Sequence, residues 1–208
     1  MAARRVIGID LDEVLGGFVP AIALWHNATH GTELTADDFH SYKFCDVWGG
    51  TNEESVDKVH AFFDTEYFTG IAPVPGAREA LEELKEDFDL VVITSRQHAI
   101  QDETRRWLDA HYPGIFRKVL FGNHWSKDCP DPTIMNASKR TKEEMCKEVG
   151  AVALVDDAVG YAFGCSSAVE KVILFGNYSW NQTDEPLPAN VVRCADWAGA
   201  KAALAPLR

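Results

Sequence analysis

The sequence predicts an α/β protein built on a doubly wound parallel sheet. Short apolar runs alternate along the chain with amphipathic segments, and the runs lack the polar alternation of a half-exposed sheet, so they read as strands buried on both faces. Three of these runs also stop at clusters of polar, chemistry-bearing residues.

In chain order, RVIGID (5–10) is the first predicted strand, LVVIT (90–94) the second, KVLFG (118–122) a weaker third, AVALVD (151–156) the fourth and KVILFG (171–176) the fifth. Between them, GAREALEELKEDF (76–88) follows Pro73 and Pro75, and QHAIQDETRRWLDAHY (97–112) and KEEMCKEV (142–149) carry apolar residues at three- and four-residue spacing. Strand, helix and strand in succession is the pattern of parallel crossovers. The segment 16–70 interrupts it. FVPAIALWHNATHG and EESVDKVHAFFDTEYF read as helices, the stretch between them has no strand pattern, and aromatic residues are dense throughout. The expected organisation is therefore a core of residues 1–15 and 71–208 with a small helical insertion at 16–70.

Composition narrows the partners. A chain of 208 residues with a net charge of −12 repels nucleic-acid polymers and anionic membranes, so a phosphate held here needs local cations or a metal. The first strand pattern starts too close to Met1 for a signal peptide, and no apolar run reaches the length of a membrane span, which gives a cytoplasmic expectation. The five cysteines, Cys45, Cys129, Cys146, Cys165 and Cys194, are odd in number and lack any Cys-x-x-Cys pair, so reduced thiols are expected.

In an open parallel sheet, ligands bind at the carboxyl ends of the strands. There the first strand offers Asp10 and Asp12, the second Thr94, Ser95 and Arg96, and the AVALV strand Asp156 and Asp157. Any one of these could be a helix cap, a frequent use of Asp, Ser and Thr. Four acids converging in one crevice repel one another unless a cation compensates, and carboxylates without clustered His or Cys suit a hard ion, for which magnesium is expected. A zinc site at His26 and His30 is disfavoured because the intervening residues lack the zincin Glu.

The Asp-x-Asp of DLDEVL, the Thr94 or Ser95 that ends VVITSR, the lysine of SKRTKEEMCKEVGA and the acidic pair of ALVDD resemble, in order and separation, the four motifs of the haloacid dehalogenase-like (HAD) hydrolases. The helical insertion falls where that superfamily carries a cap, and the TKEEMCKEVGA and VDDA phrasing is similar to the cytosolic type C 5′-nucleotidases. The resemblance implies a Rossmann-like core and a magnesium-dependent phosphomonoesterase acting on a small phosphorylated metabolite, a nucleoside monophosphate being one candidate. By position it implies Asp10 as nucleophile and Asp12 as general acid and base. It further implies metal binding by Asp10, the Asp12 backbone carbonyl and Asp156 with Asp157 in support, phosphoryl binding by Thr94 or Ser95, and Lys142 as the neutralising cation. Two other readings stay open: a non-catalytic phosphate-binding or interaction protein on the same fold, and a haloacid dehalogenase, which would need neither Asp12 as an acid nor a carboxylate-rich metal site. A homodimer is left open as well.

Four expectations concern single residues. Glu13, where many relatives carry Gly or Thr, is expected to point outward and cap the next turn. Arg96 reaches either a phosphate or an acid of the cluster. Tyr42, Phe44 and Trp48, in the non-periodic FHSYKFCDVWGG, either stack on a substrate base or form insertion core. Finally, Thr141 and Glu144 have capping-box spacing, which puts Lys142 at the first helical position, where the helix dipole disfavours a cation by roughly 0.3–1 kcal/mol. An anion in front of Lys142 is expected to repay that cost. On this view removing Lys142 leaves the melting temperature unchanged or slightly higher, whereas Lys139 stays solvated.

Overall fold

The computed structural model describes residues 4–124 and 139–208. Cys129 and the first residue of the quoted SKRTKEEMCKEVGA stretch lie outside the described residues. The sheet has six strands: β1 (Val6–Ile9), β2 (Asp89–Thr94), β3 (Phe116–Phe121), β4 (Ala151–Asp156), β5 (Lys171–Phe175) and β6 (Val191–Cys194). All pair in parallel, in the order β3-β2-β1-β4-β5-β6. The order reverses between β1 and β4, the topological switch point at which the strand ends open a crevice.

Nine helices connect the strands among the described residues: α1 (Phe18–His30), α2 (Cys45–Trp48), α3 (Asn52–Phe63), α4 (Glu66–Thr69), α5 (Ala77–Asp87), α6 (Gln101–His111), α7 (Lys142–Val149), α8 (Val159–Cys165) and α9 (Trp197–Leu204). None is long and apolar enough to cross a membrane.

Burial follows the two-residue period of the strands. Leu90 and Val92 of β2 and Ile173 and Phe175 of β5 pack into a core shared with α1, α5 and α9. Val91, Ile93, Val172 and Leu174 pack on the opposite face against Met145 and Cys146 of α7 and Ala162 and Cys165 of α8. Gly8 in β1 lies close under this packing, and a Cβ there would lie 2.6 Å from Ile93 Cδ1, so the tip of that side chain would have to move.

The chain leaves the sheet at residues 15–17 and returns at 72–74, where Gly17 N–H donates to Ala72 O (3.0 Å) and Val74 N–H to Leu15 O (2.8 Å). Helices α1 to α4 lie between these two points. The single helix expected over 53–68 is broken in two. Thr65 is extended, and its hydroxyl donates to Phe62 O at 2.6 Å, a side-chain alternative to the helical ladder that ends α3. The helix predicted over 97–112 begins with a 3₁₀ turn at His98–Ile100 before α6.

Candidate active site

Asp10 follows the last residue of β1, and its N–H donates to Val155 O at 2.9 Å, which carries the pairing with β4 one residue further. Asp156 ends β4 and Asp157 follows it. All three acids are buried, and each brings a carboxylate oxygen within 4.8 Å of the others. Lys142, only 1% exposed, projects between two of them: Nζ lies 2.8 Å from Asp10 Oδ1 and 2.6 Å from Asp156 Oδ2. The other oxygen of Asp156 accepts the N–H of Ala158 at 3.1 Å.

One ammonium among three carboxylates leaves negative charge in excess, and the titration behaviour reflects it. Burial pushes the Asp10 carboxyl well above its ordinary value against the pull of Lys142, with Asp156, Asp157 and Asp12 adding to the rise. Asp157 is pushed up to about 7 by burial and by Asp156. Burial disfavours the charged Lys142, yet Asp10 and Asp156 outweigh it and hold the ammonium above its ordinary value. Protons are one remedy for such a cluster and a cation is the other. The donors are all oxygens, so the site fits a hard divalent ion and not one that prefers nitrogen or sulfur.

Asp12 faces a different partner. Arg96 donates to its carboxylate through Nε (3.2 and 3.1 Å) and Nη2 (2.7 Å), while Nη1 donates to Thr104 Oγ1 at 3.0 Å and the guanidinium lies 4.9 Å above the Phe68 ring. Of the two uses open to Arg96, the structure places it on the acid. Ser95 lines the cavity described below and its hydroxyl donates to Tyr161 Oη at 2.8 Å. Thr94 is fully buried, with Oγ1 accepting the Arg96 N–H at 3.2 Å. Between the two alternatives for phosphoryl contact, only Ser95 borders open space.

Asp10, Asp12 and Lys142 form part of the wall of a cavity of about 520 Å³. Tyr42, Phe44 and Phe63 face it from the α1 to α4 segment. Trp48 does not: it stacks on His26 at 4.6 Å and 1° and meets Phe39 edge-on at 6.1 Å, inside the helical segment. His26 is thereby accounted for. Its Nδ1 pairs with Thr32 Oγ1 (2.8 Å) and its Nε2 with Lys58 Nζ (3.2 Å). Since the Thr32 hydroxyl donates to Asn27 Oδ1, the ring is the neutral tautomer with its proton on Nδ1.

Glu13 corrects the sequence reading in one respect. It does cap the next helix, since Oε1 accepts the Val19 N–H of α1 at 2.7 Å, but it points inward and is 3% exposed. Its φ of 60° is the left-handed conformation that favours glycine, and the inward turn follows from that backbone. Burial, together with Asp157 and Asp12, holds its carboxyl well above the ordinary range.

The helix start before Lys142 is as the spacing predicts. Thr141 Oγ1 accepts the Glu144 N–H (3.1 Å) and the Glu144 carboxylate accepts the Thr141 N–H (2.7 Å). Lys139 is exposed.

Trp180 and Tyr161 are site residues that the sequence does not announce, and both line the cavity. Trp180 follows β5 in the loop YSWN and donates Nε1–H to Asp157 Oδ2 at 2.7 Å. The signal for Trp180 in the sequence is its position just past a predicted strand end, where an aromatic residue stands in place of a polar one.

A family model described as "5' nucleotidase, deoxy (Pyrimidine), cytosolic type C protein" matches residues 4–128. A protein of Bacillus cereus named "Putative nucleotidase" is 30% identical over 105 residues, 49% of this chain and 56% of that protein. A "Putative 5'(3')-deoxyribonucleotidase" of Chlorobaculum tepidum is 33% identical over 117 residues, 51% of this chain and 57% of that protein. The matched part spans little more than half the length of either relative. Among solved structures, a haloacid dehalogenase-like family hydrolase from Streptococcus pneumoniae superposes with a TM-score of 0.64 at 11% identity, covering 100% of both chains, which is a likeness of fold.

Proposed function

We propose, on the premise that this chain belongs to the cytosolic type C 5′-nucleotidase family of HAD-like hydrolases, that it is a magnesium-dependent phosphomonoesterase working through an aspartyl-phosphate on Asp10. The observation that carries this reading is the division of labour between the two aspartates of one loop. Asp10 is buried against the Lys142 ammonium, while Asp12 stands two residues on, partly exposed and oriented by Arg96.

In this reading the substrate phosphate enters the cavity beside Ser95 and Lys142. An Asp10 carboxylate oxygen attacks phosphorus in line with the ester bond, and Asp12 delivers a proton to the departing alkoxide. Asp12 then takes a proton from the water that cleaves the acyl phosphate, releasing inorganic phosphate and restoring Asp10. Lys142 neutralises charge at the nucleophile and at the phosphoryl oxygens. Asp10, Asp156, Asp157 and the Asp12 carbonyl would hold the magnesium ion, which when bound supplies charge neutralisation for the phosphate and the attacking carboxylate.

Residues 16–70 we read as a cap on a core formed by 1–15 and 71–208. The adjacent exit and return at residues 15–17 and 72–74 support that division. Phe44 and Phe63, facing the cavity from the cap, favour a substrate with a flat apolar part, for which a nucleoside monophosphate is the leading candidate. We place the enzyme in the cytoplasm, where the free thiols of Cys45, Cys146, Cys165 and Cys194 would stay reduced.

The test is phosphate release from a panel of nucleoside monophosphates, sugar phosphates and an aryl phosphate, with magnesium or with a chelator. Magnesium-dependent turnover with a preference for nucleotides is expected. Equal turnover with the chelator, or none on any substrate, contradicts the proposal.

A further inference from the structure

Asp157 is held from two directions that have nothing to do with its own strand. Its Oδ2 accepts Nε1–H of Trp180, from the loop after β5, and the hydroxyl of Tyr42, from the segment between β1 and β2. No described residue donates a hydrogen bond to its Oδ1. Trp180 is itself fixed, because its ring stacks on Tyr178 at 4.5 Å and 7° and meets Tyr42 edge-on at 6.1 Å. Tyr178 in turn donates its hydroxyl to Glu13 O at 2.9 Å, in the loop that carries Asp10 and Asp12.

We propose that Tyr42 and Trp180 are positioning residues that clamp one oxygen of Asp157 and so present the other to the cation, and that Tyr42 makes cation binding and docking of the 39–50 segment mutually dependent. The inference rests on the metal site read above. An unclamped carboxylate turns about its last side-chain bond. Two donors converging on one oxygen stop that rotation, and a ligand already oriented loses less freedom when it binds a metal. Because Tyr42 belongs to the segment that walls the cavity, whatever orders Asp157 also orders that wall. By reciprocity a docked wall raises cation affinity by the same factor.

The experiment uses the full chain, stripped of metal, with Tyr42→Phe, Trp180→Phe and the double variant. Tyr42→Phe keeps the ring and deletes only the hydroxyl, whereas Trp180→Phe keeps an aromatic face against Tyr178 but deletes the indole N–H together with the fused ring. Magnesium affinity is read by calorimetry, and amide exchange of residues 39–50 is read with and without magnesium. Each single variant is expected to weaken magnesium binding by roughly tenfold, as loss of a partner behind a metal ligand does. In wild type magnesium should slow exchange across 39–50, and in Tyr42→Phe that slowing should be lost. The magnesium concentration for half-maximal turnover should rise in both variants. Affinities within twofold of wild type in both variants overturn the clamp and leave the metal site standing. Weakening in Trp180→Phe alone overturns the link to the 39–50 segment. A wild-type chain that binds no magnesium overturns the clamp and the proposed function together.

Discussion

Arg96 grips Asp12 through both Nε and Nη2, a two-pronged pair in which the guanidinium is nearly buried and the carboxylate is 29% exposed. Lysine has one compact charge and cannot reproduce that fork. Arg96→Lys is therefore expected to lower kcat at least tenfold on alkyl phosphates and much less on aryl phosphates, whose leaving groups need little protonation. A raised KM with unchanged kcat would mean that Arg96 serves the substrate phosphate and not Asp12.

Lys142 supplies a second prediction, and here the structure revises the sequence expectation about stability. By spacing alone Lys142 is a cation at the wrong end of a helix with an anion in front of it, and its removal is expected to leave the melting temperature unchanged or slightly higher. In the fold it is buried between Asp10 and Asp156. Breaking a buried pair costs about 3–5 kcal/mol, partly recovered when the acids protonate. Lys142→Ala should lose activity by orders of magnitude and melt several degrees lower in metal-free buffer, while Lys139→Ala matches wild type in both. Loss of activity in Lys139→Ala with Lys142→Ala intact would assign the wrong lysine.

The aromatic trio separates in the same way. Trp48→Ala should destabilise by about 3 kcal/mol, near the low end for a large ring, and reduce turnover of all substrates alike. Phe44→Leu, which keeps apolar bulk but removes the ring face, should raise KM for nucleoside monophosphates severalfold and leave small sugar phosphates near wild type. Uniform KM values across substrates in Phe44→Leu would remove the case for a stacked base.

Much of this was legible in the chain because strands buried on both faces announce themselves as apolar runs, and strand ends in a parallel sheet must converge. Asp10, Asp12, Asp156 and Asp157 follow from that rule, and Lys142 follows from a cap spacing that is local. Strand β6 was not legible: VVRC is four residues long with an arginine in it, too short for either period to register. Helix α8 hides behind Gly160 and Gly164, poor helix formers that tertiary packing overrides. The contacts of Asp157 with Tyr42 and Trp180 join residues far apart in sequence through single atoms, and no periodicity records such a meeting. The capping role of Glu13 was legible but its inward direction was not, since its left-handed φ belongs to a turn that the side chain's polarity does not foretell.

His26 sets a pH dependence. Burial, with Lys58 and His30 beside it, lowers its pKa to about 4 from an ordinary value near 6.5. Between those values the unfolded chain binds a proton that the folded chain refuses, so stability rises with pH across this window and falls as pH drops from about 6.5 towards 4. Urea midpoints at pH 7 and pH 5 should differ more for wild type than for His26→Gln. Equal differences in the two proteins would show that His26 does not titrate in this way.

The central claim is that Asp10 carries the phosphoryl group during turnover. It is tested most directly by quenching the enzyme in acid while it turns over a nucleoside monophosphate with magnesium, then mapping phosphorylated peptides by mass spectrometry. The account predicts a phosphoryl group on Asp10 in wild type, its accumulation in Asp12→Asn, where hydrolysis of the intermediate lacks its base, and its absence in Asp10→Asn together with all turnover. Turnover by Asp10→Asn, or a phosphoryl group found on another residue and never on Asp10, would contradict it.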